Sequence, residues 1–546
     1  MRSKAVVRIR IITGGVLMIS LILIARLYQI QILHGAEYTE KAEQQYVYTA
    51  RDTYDRGSIY FTTKNGDVVS AASMQAGFLL AINPQAITNP QNLYERLQQY
   101  LTIDQDLFIT RATLPGRTYV EVETQISEET AGLIEELDLT GVMLYRNQWR
   151  YYPGNELAAR TVGFVGLTDD AGEGLRGRYG LERFYDETLV RDEDVMSVNF
   201  FAEIFSNLGT FVFDTTDSRA GDVITTIEPT VARMLDRQLE ATQEAYGSTL
   251  TGGIIMHPQT GAIYALNAIP TFNLNDRRGV SIETFQNPLV ESVYELGSII
   301  KALTVAAGLD SGAVSPSTTY FDSGVLELDT FTIGNFDGKG RGTVDMQEVL
   351  NQSLNTGVAF IVDTMGKDRF REYFKSLQLG SETGIDLPNE AFGLTQNLDS
   401  PRDIEYATAS FGQGIALTPI GAIRALATLG NGGTLVTPHI VSSVSYQDGT
   451  KREVTFPEGT QVFTPETSEE ISRMLTNVVD EALAGGDVAI STHTVAAKTG
   501  TAQIADTENG GYYEDRFLHS FFGYFPAYEP EFLIFLYTVE PQGVRY

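Results

Sequence analysis

The hydropathy pattern opens on an apolar run from Ile11 to Ala25, preceded by Arg2, Lys4, Arg8 and Arg10 and closed by Arg26. Its uncharged stretch is short for a membrane span. The flanking arginines can snorkel, however, and Leu27, Tyr28, Ile30, Ile32 and Leu33 prolong it. Positive charge ahead of the run predicts a cytoplasmic N-terminus and export of the rest of the chain. A cleaved signal peptide is the rival reading. No small-x-small site comes after the run, which favours an uncleaved transmembrane anchor over residues 1–33. Residues 34 to about 50, with Glu37, Lys41, Glu43 and Gln44, read as a polar helix leading away from the membrane.

The pattern then changes period. Turn signals at Arg56-Gly57 and Lys64-Asn65-Gly66-Asp67 separate β-prone stretches such as Ser58-Ile59-Tyr60-Phe61. Helical stretches are expected from Asn92 to Leu101 and from Ser127 to Leu137, giving a mixed α+β module over residues 34–218. A second module, 219–546, begins with a strand from Val223 to Ile227 and an amphipathic helix from Pro229 to Tyr246. A hairpin comes next, Gly253–Met256 against Ala262–Leu266, and a second strand pair is expected at Ser520–Phe525 and Phe532–Val539. Strands at both ends of a module with helical material between them define an α+β architecture. The chain shows no internal repeat and no low-complexity linker.

Composition narrows the function classes. At 546 residues, two to four domains are expected, and an apolar fraction of 43% with 20% charged residues is that of a globular protein. A formal net charge of -31 argues against a nucleic-acid partner, because phosphate neutralisation needs clustered Lys and Arg. With no cysteine, a disulfide framework, a zinc-thiolate site and a cysteine nucleophile are all excluded. The five histidines are scattered without an HExxH pair, so no metal site is expected.

Three short elements carry candidate chemistry. Ser298-Ile299-Ile300-Lys301 opens a helical stretch beginning near Leu296, and residues three apart share a helical face. A buried lysine can lose its charge and serve as the base that a serine hydroxyl requires. Ser353-Leu354-Asn355 is read at the end of a helical stretch starting near Val344, where a hydroxyl and an amide can face a cleft. Lys498-Thr499-Gly500-Thr501 comes after the strand-like Val495-Ala496-Ala497 and offers a cation and hydroxyls to a carboxylate, with Gly500 permitting close backbone approach. Each element alone is short enough to arise by chance as a cap, turn or sheet edge.

Their order and wide spacing resemble the three elements of serine β-lactamases and penicillin-binding proteins, with Leu354 where Asp is usual. The lead-in Tyr294-Glu295-Leu296-Gly297 is similar to that of class B penicillin-binding proteins, with Leu296 replacing Pro. Phe411-Gly412-Gln413-Gly414, Thr418-Pro419, Asn431-Gly432-Gly433 and Ser520–Pro526 look like the same family's later segments. Arg56-Gly57-Ser58-Ile59, Tyr152-Pro153-Gly154 and Gly180–Tyr185 resemble its non-catalytic pedestal, the dimerisation-type domain.

The resemblance implies a β-lactam-inhibited peptidoglycan D,D-transpeptidase with an antiparallel sheet and helices in its catalytic domain. Ser298 attacks the D-Ala-D-Ala carbonyl, Lys301 acts as base and Ser353 relays a proton. Asn355 binds the peptide, Lys498 supplies positive potential, and Thr499 and Thr501 bind the terminal carboxylate beside Gly500. The N–H groups of Ser298 and Thr501 form the oxyanion hole. Substrates are stem peptides on lipid-linked or nascent glycan, no cofactor is needed, and a SEDS-type membrane polymerase is the expected partner. A D,D-carboxypeptidase, and a silent β-lactam-binding sensor or scaffold, are the alternatives. A single-domain β-lactamase would lack the pedestal, and a bifunctional glycosyltransferase would carry an acidic domain not evident before residue 220. Members commonly continue past the last strand into a closing helix, so apolar sheet surface is expected to be exposed without one.

Overall fold

The computed structural model describes Met18 and residues 55–167, 175–191, 220–506 and 508–544. The expected anchor, apart from Met18, and the polar helix after it lie outside the described residues. Among the described residues, no helix is long and apolar enough to cross a membrane. The described chain divides into two units, residues 76–149 and residues 55–75 with 150 onward.

In the smaller unit, helices α1 (Pro90–Leu97), α2 (Gln105–Ala112) and α3 (Glu128–Glu135) accompany strand β3 (Val120–Ile126), which pairs antiparallel with the Phe78–Ile82 part of β2 (Val68–Ile82). Each helix starts where a side chain caps it. Asn89 accepts from the Asn92 amide, Asp104 from Leu107 and Ser127 from Thr130. The cap and Pro90 explain why α1 begins two residues before the expected Asn92. Leu80, Ile82, Leu93, Leu97, Phe108, Ile126 and Ile134 form its core.

In the larger unit, β1 (Ile59–Thr62) lies parallel to the strand Gly221–Thr225, here β4. Gly57 allows this approach, since a Cβ there would sit 2.1 Å from the Gly221 carbonyl oxygen. Distant sequence segments meet just behind it. The Arg56 guanidinium donates to Glu182 Oε2 at 2.7 Å and to Asp186 at 2.7 Å, while Arg150 donates to Glu182 Oε1 at 2.7 Å. Glu182, 0% exposed, is thereby held between two arginines.

The catalytic part is built on a five-stranded antiparallel sheet. Strands β5 (Leu250–Met256) and β6 (Ile263–Ile269) form the expected hairpin. Strands β7 (Ala496–Ala505), β8 (Tyr512–Phe525) and β9 (Phe532–Val539) complete the order β7-β8-β9-β5-β6. Sequence-distant ends are therefore neighbours, with Leu536 opposite Gly253. The helix Pro229–Tyr246, α4, packs Leu235 and Leu239 onto the bare backbone of Gly253. Helix α5 (Lys301–Asp310) is buried from Lys301 through Gly308.

One local expectation is corrected. Val344 belongs to a strand, Gly342–Asp345, not to a helix. The Asp345 side chain caps the Glu348 amide at 2.9 Å, so helix α6 starts at Met346 and ends at Asn351. The Ser353 triplet occupies the turn before α7 (Asn355–Met365). The third motif lies on a strand, which runs from Ala496 through Lys498–Thr501 to Ala505.

Candidate active site

Ser298 sits half-buried in a 3-10 turn, Gly297–Ile300, that leads directly into α5. The turn rests on β7 through glycines. Gly297 has φ +65°, and a Cβ there would lie 2.4 Å from the Thr501 carbonyl oxygen. At Gly500 a Cβ would meet Ser520 Oγ at 2.3 Å and the Leu296 carbonyl at 2.7 Å. Ser520 Oγ itself donates to that carbonyl at 2.7 Å. The Gly297 amide donates to the Gly412 carbonyl at 3.3 Å. The Ser298 turn, the edge strand and the Phe411–Gly414 loop are thus in backbone contact, a closeness that any side chain at these glycines would prevent.

Lys301 is only 1% exposed, one helical turn beyond Ser298. Its Nζ donates to Ser353 Oγ at 3.0 Å and to the Ser353 carbonyl at 2.5 Å. Lys498 Nζ reaches the same Ser353 Oγ at 3.2 Å and the Thr499 carbonyl at 3.1 Å. The turn that presents Ser353 holds it at φ +53°, a left-handed conformation uncommon for a residue with a Cβ.

Two ammonium groups sharing one hydroxyl in a dry cleft cannot both hold their protons at the ordinary lysine pKa. Burial and then the Lys498 charge push Lys301 well below the usual lysine range. Burial alone lowers Lys498 to about 8. Of the two, Lys301 is the one pushed furthest toward the neutral amine, because the charge of Lys498 adds to its burial.

Asn355 Nδ2 donates to the Gly334 carbonyl at 2.8 Å. Thr499 is exposed and Thr501 half-buried on the edge strand. Lys301, Ser353 and Lys498 are joined by hydrogen bonds, and Lys498 also holds the Thr499 carbonyl, while the side chains of Asn355, Thr499 and Thr501 make no bond to the three. Ser298 Oγ makes no hydrogen bond among the described residues.

The structure gives partners to Glu295 of the lead-in and adds polar groups, Tyr512, Asp322 and Asn335, that the sequence did not single out. The half-buried Glu295 carboxylate, raised in pKa by burial, accepts from Tyr512 Oη at 2.9 and 3.1 Å and from the Gly414 amide at 3.1 Å. Asp322, Asn335 and Thr356 form a buried polar cluster beside Asn355. None of these residues has a spacing that signals its role, and only the fold brings them to the site.

A serine one helical turn from a buried lysine of lowered pKa, with a second lysine on an edge strand, defines a serine acyl-transfer enzyme of the penicillin-binding class. Residues 251–546 match the penicillin binding protein transpeptidase domain, and residues 52–200 match the penicillin-binding protein dimerisation domain. The chain belongs to this family. It is 29% identical over 535 residues to Stage V sporulation protein D of Bacillus subtilis (strain 168), covering 96% of this chain and 80% of that protein. To the peptidoglycan D,D-transpeptidase MrdA of Acinetobacter baumannii it is 26% identical over 577 residues, covering 96% of this chain and 84% of that one. Penicillin Binding Protein 2X from Streptococcus thermophilus shares the fold with a TM-score of 0.71 at 20% identity, over 90% of this chain and 77% of that chain. The protein is a serine-type peptidoglycan D,D-transpeptidase with a mixed α+β transpeptidase fold and a dimerisation domain.

Proposed function

We propose that Ser298 is the nucleophile, Lys301 its base and Ser353 the proton relay. The observation that carries this assignment is the shared hydrogen bonding of Lys301 and Lys498 to Ser353 Oγ, at 3.0 and 3.2 Å. Ser298 Oγ attacks the carbonyl carbon between the two terminal D-alanines, and its proton passes to the neutral Lys301 Nζ. The C–N bond breaks as Ser353 Oγ hands a proton to the departing D-alanine amine and is reprotonated from Lys301. An ester to Ser298 remains. An acceptor amine from a neighbouring stem peptide then attacks the ester carbonyl, the C–O bond to Ser298 breaks, and the amine's proton passes through the base to Ser298 Oγ as the cross-link forms.

Lys498, with Thr499 and Thr501, holds the donor's terminal carboxylate, and Asn355 binds the peptide backbone. The N–H groups of Ser298 and Thr501 serve the oxyanion. Gly500 keeps the strand close enough for this geometry. β-Lactams enter as mimics of the donor.

The wider assignment rests on the chain's pattern. Residues 1–33 anchor the protein in the plasma membrane with the N-terminus inside, 34–218 form the pedestal, and 219–546 form the catalytic domain outside. The partner supplying glycan strands is a SEDS-type polymerase. The apolar run with its leading arginines supports the anchor.

The test is covalent labelling by a fluorescent penicillin of the wild type, Ser298→Ala and Lys301→Ala. Labelling of the wild type that disappears in Ser298→Ala supports the assignment. A folded full-length wild type that takes no label favours a silent scaffold.

A further inference from the structure

We infer that Asp322 is a positioning residue for acylation, acting through Gly334 and Asn335 on the amide of Asn355; this rests on the reading of Asn355 as a substrate-binding group. Asp322 closes the short strand Thr319–Asp322, whose alternation turns Asp322 inward to 1% exposure. A carboxylate this buried requires donors on every side. It has four. Oδ1 accepts from the Gly324 amide at 2.9 Å and from Thr356 Oγ1 at 2.7 Å. Oδ2 accepts from the Arg341 amide at 2.9 Å, and Asn335 Nδ2 bonds both oxygens at 3.0 Å. The neighbouring Arg341 guanidinium binds Asp337 instead.

These bonds converge on the third position of the Ser353 motif. Asn335 Oδ1 accepts from the Thr356 amide at 3.3 Å and from Thr356 Oγ1 at 3.2 Å. The carbonyl immediately before Asn335, that of Gly334, accepts from Asn355 Nδ2 at 2.8 Å. A side-chain amide has a donor end and an acceptor end, and a carbonyl partner fixes which end points where. With Nδ2 committed to Gly334, the Oδ1 acceptor is the end offered to a substrate N–H. Asp322 holds the Gly334–Asn335 turn that makes this choice.

Thr356 borders a cavity of about 570 Å³, walled also by Tyr320, Leu326 and Phe360. The start of α7 is otherwise packed, with Leu354 and Val358 buried and Val349 close against Gly357. Packing alone does not choose which end of an amide faces the cleft, and the polar ties supply that direction. A carboxylate with this donor set reads as an orienting device for the first two residues of α7, Asn355 and Thr356.

The test is a double-mutant cycle on penicillin acylation, using wild type, Asp322→Ala, Asn355→Ala and the double variant, with thermal melting followed in parallel. Asp322→Ala is expected to slow acylation about tenfold in the wild-type background and less than about twofold in the Asn355→Ala background. A D-Ala-D-Ala donor peptide should show the same non-additivity. If the slowing is equal in both backgrounds, Asp322 acts on stability or elsewhere, and the inference falls while the role of Asn355 stands. If Asn355→Ala acylates like the wild type, the reading of Asn355 falls and the inference with it. Should Asp322→Ala melt below the assay temperature, Thr356→Val and Asn335→Ala break the same network and are subject to the same two outcomes.

Discussion

Lys301 Nζ lies 3.0 Å from Ser353 Oγ and 2.5 Å from the carbonyl oxygen of the same residue. One amine thus holds both the side chain and the backbone of the turn between α6 and α7. A neutral amine keeps two N–H donors for these bonds and one lone pair for a proton. Lys301 can therefore stay anchored to Ser353 while it serves as a base, which keeps the relay in place through both proton transfers.

The pH dependence is set by the two lysines. The proposed mechanism requires Lys301 neutral and Lys498 charged for acylation. As pH falls through the lowered pKa of Lys301, the base is lost. As pH rises through about 8, Lys498 loses the charge that holds the donor carboxylate. The second-order rate of penicillin acylation, measured from about pH 5.5 to 10, should form a bell whose alkaline limb lies near 8. Lys498→Arg, which stays charged, should abolish that limb while an acid limb remains. An unchanged alkaline limb in Lys498→Arg would overturn the assignment of Lys498.

Stability away from the catalytic cleft hinges on Glu182. Its carboxylate is fully buried and bonds both Arg56 and Arg150, at 2.7 Å each. Glu182→Ala would leave two buried guanidiniums without their shared partner, at a cost of about 3–5 kcal/mol. Denaturant unfolding of the variant should show this loss. A change below about 1 kcal/mol would mean that water or Asp186 compensates the arginines.

The chemistry of the site was legible in the sequence because each motif is a local string whose residues act within a few positions of one another. The sheet was also largely legible, since β5, β6, β8 and β9 are apolar runs bounded by turns. What the sequence hid was non-local or depended on one cap. Asp345 sets the start of α6, and the helix ends at Asn351, so that Ser353 lies in a turn with φ +53°. Asp322 and Asn335 are single polar residues in a strand and a turn, and nothing in their spacing ties them to Asn355. Glu295 and Tyr512 are separated by 217 residues, so their hydrogen bond exists only once β8 is in the sheet.

Gly500→Ala tests the close approach of the edge strand to the nucleophile turn. The added methyl would lie 2.3 Å from Ser520 Oγ and 2.7 Å from the Leu296 carbonyl, and the latter is backbone that cannot swing aside. Either β7 or the Ser298 turn must move, and displacement of the reacting groups by about 1 Å costs on the order of a hundredfold in rate. Acylation should fall by about that factor with the protein still folded. Wild-type labelling kinetics in Gly500→Ala would show that the two segments separate without consequence.

The Tyr512 hydroxyl joins the start of β8 to Glu295, three residues before the nucleophile. Burial raises the pKa of Glu295, and its bonds from Tyr512 and the Gly414 amide oppose that rise. Removing the Tyr512 donor in Tyr512→Phe leaves the ring in place and takes away one charge-assisted hydrogen bond, worth about 1.5–3 kcal/mol when well formed. Tyr512 is partly exposed, so water can replace much of that bond and the loss of stability should be well below this figure. The Glu295 carboxylate then protonates at higher pH than before. Protonation would loosen its grip on the Gly414 amide and, through the Gly297–Gly412 contact, on the Ser298 turn. Tyr512→Phe should therefore slow acylation more at about pH 5.5, the acid end of the profile, than at about pH 8. Equal slowing at both pH values would place the role of Tyr512 in packing, and no slowing at either would show that Glu295 is held well enough by Gly414 alone.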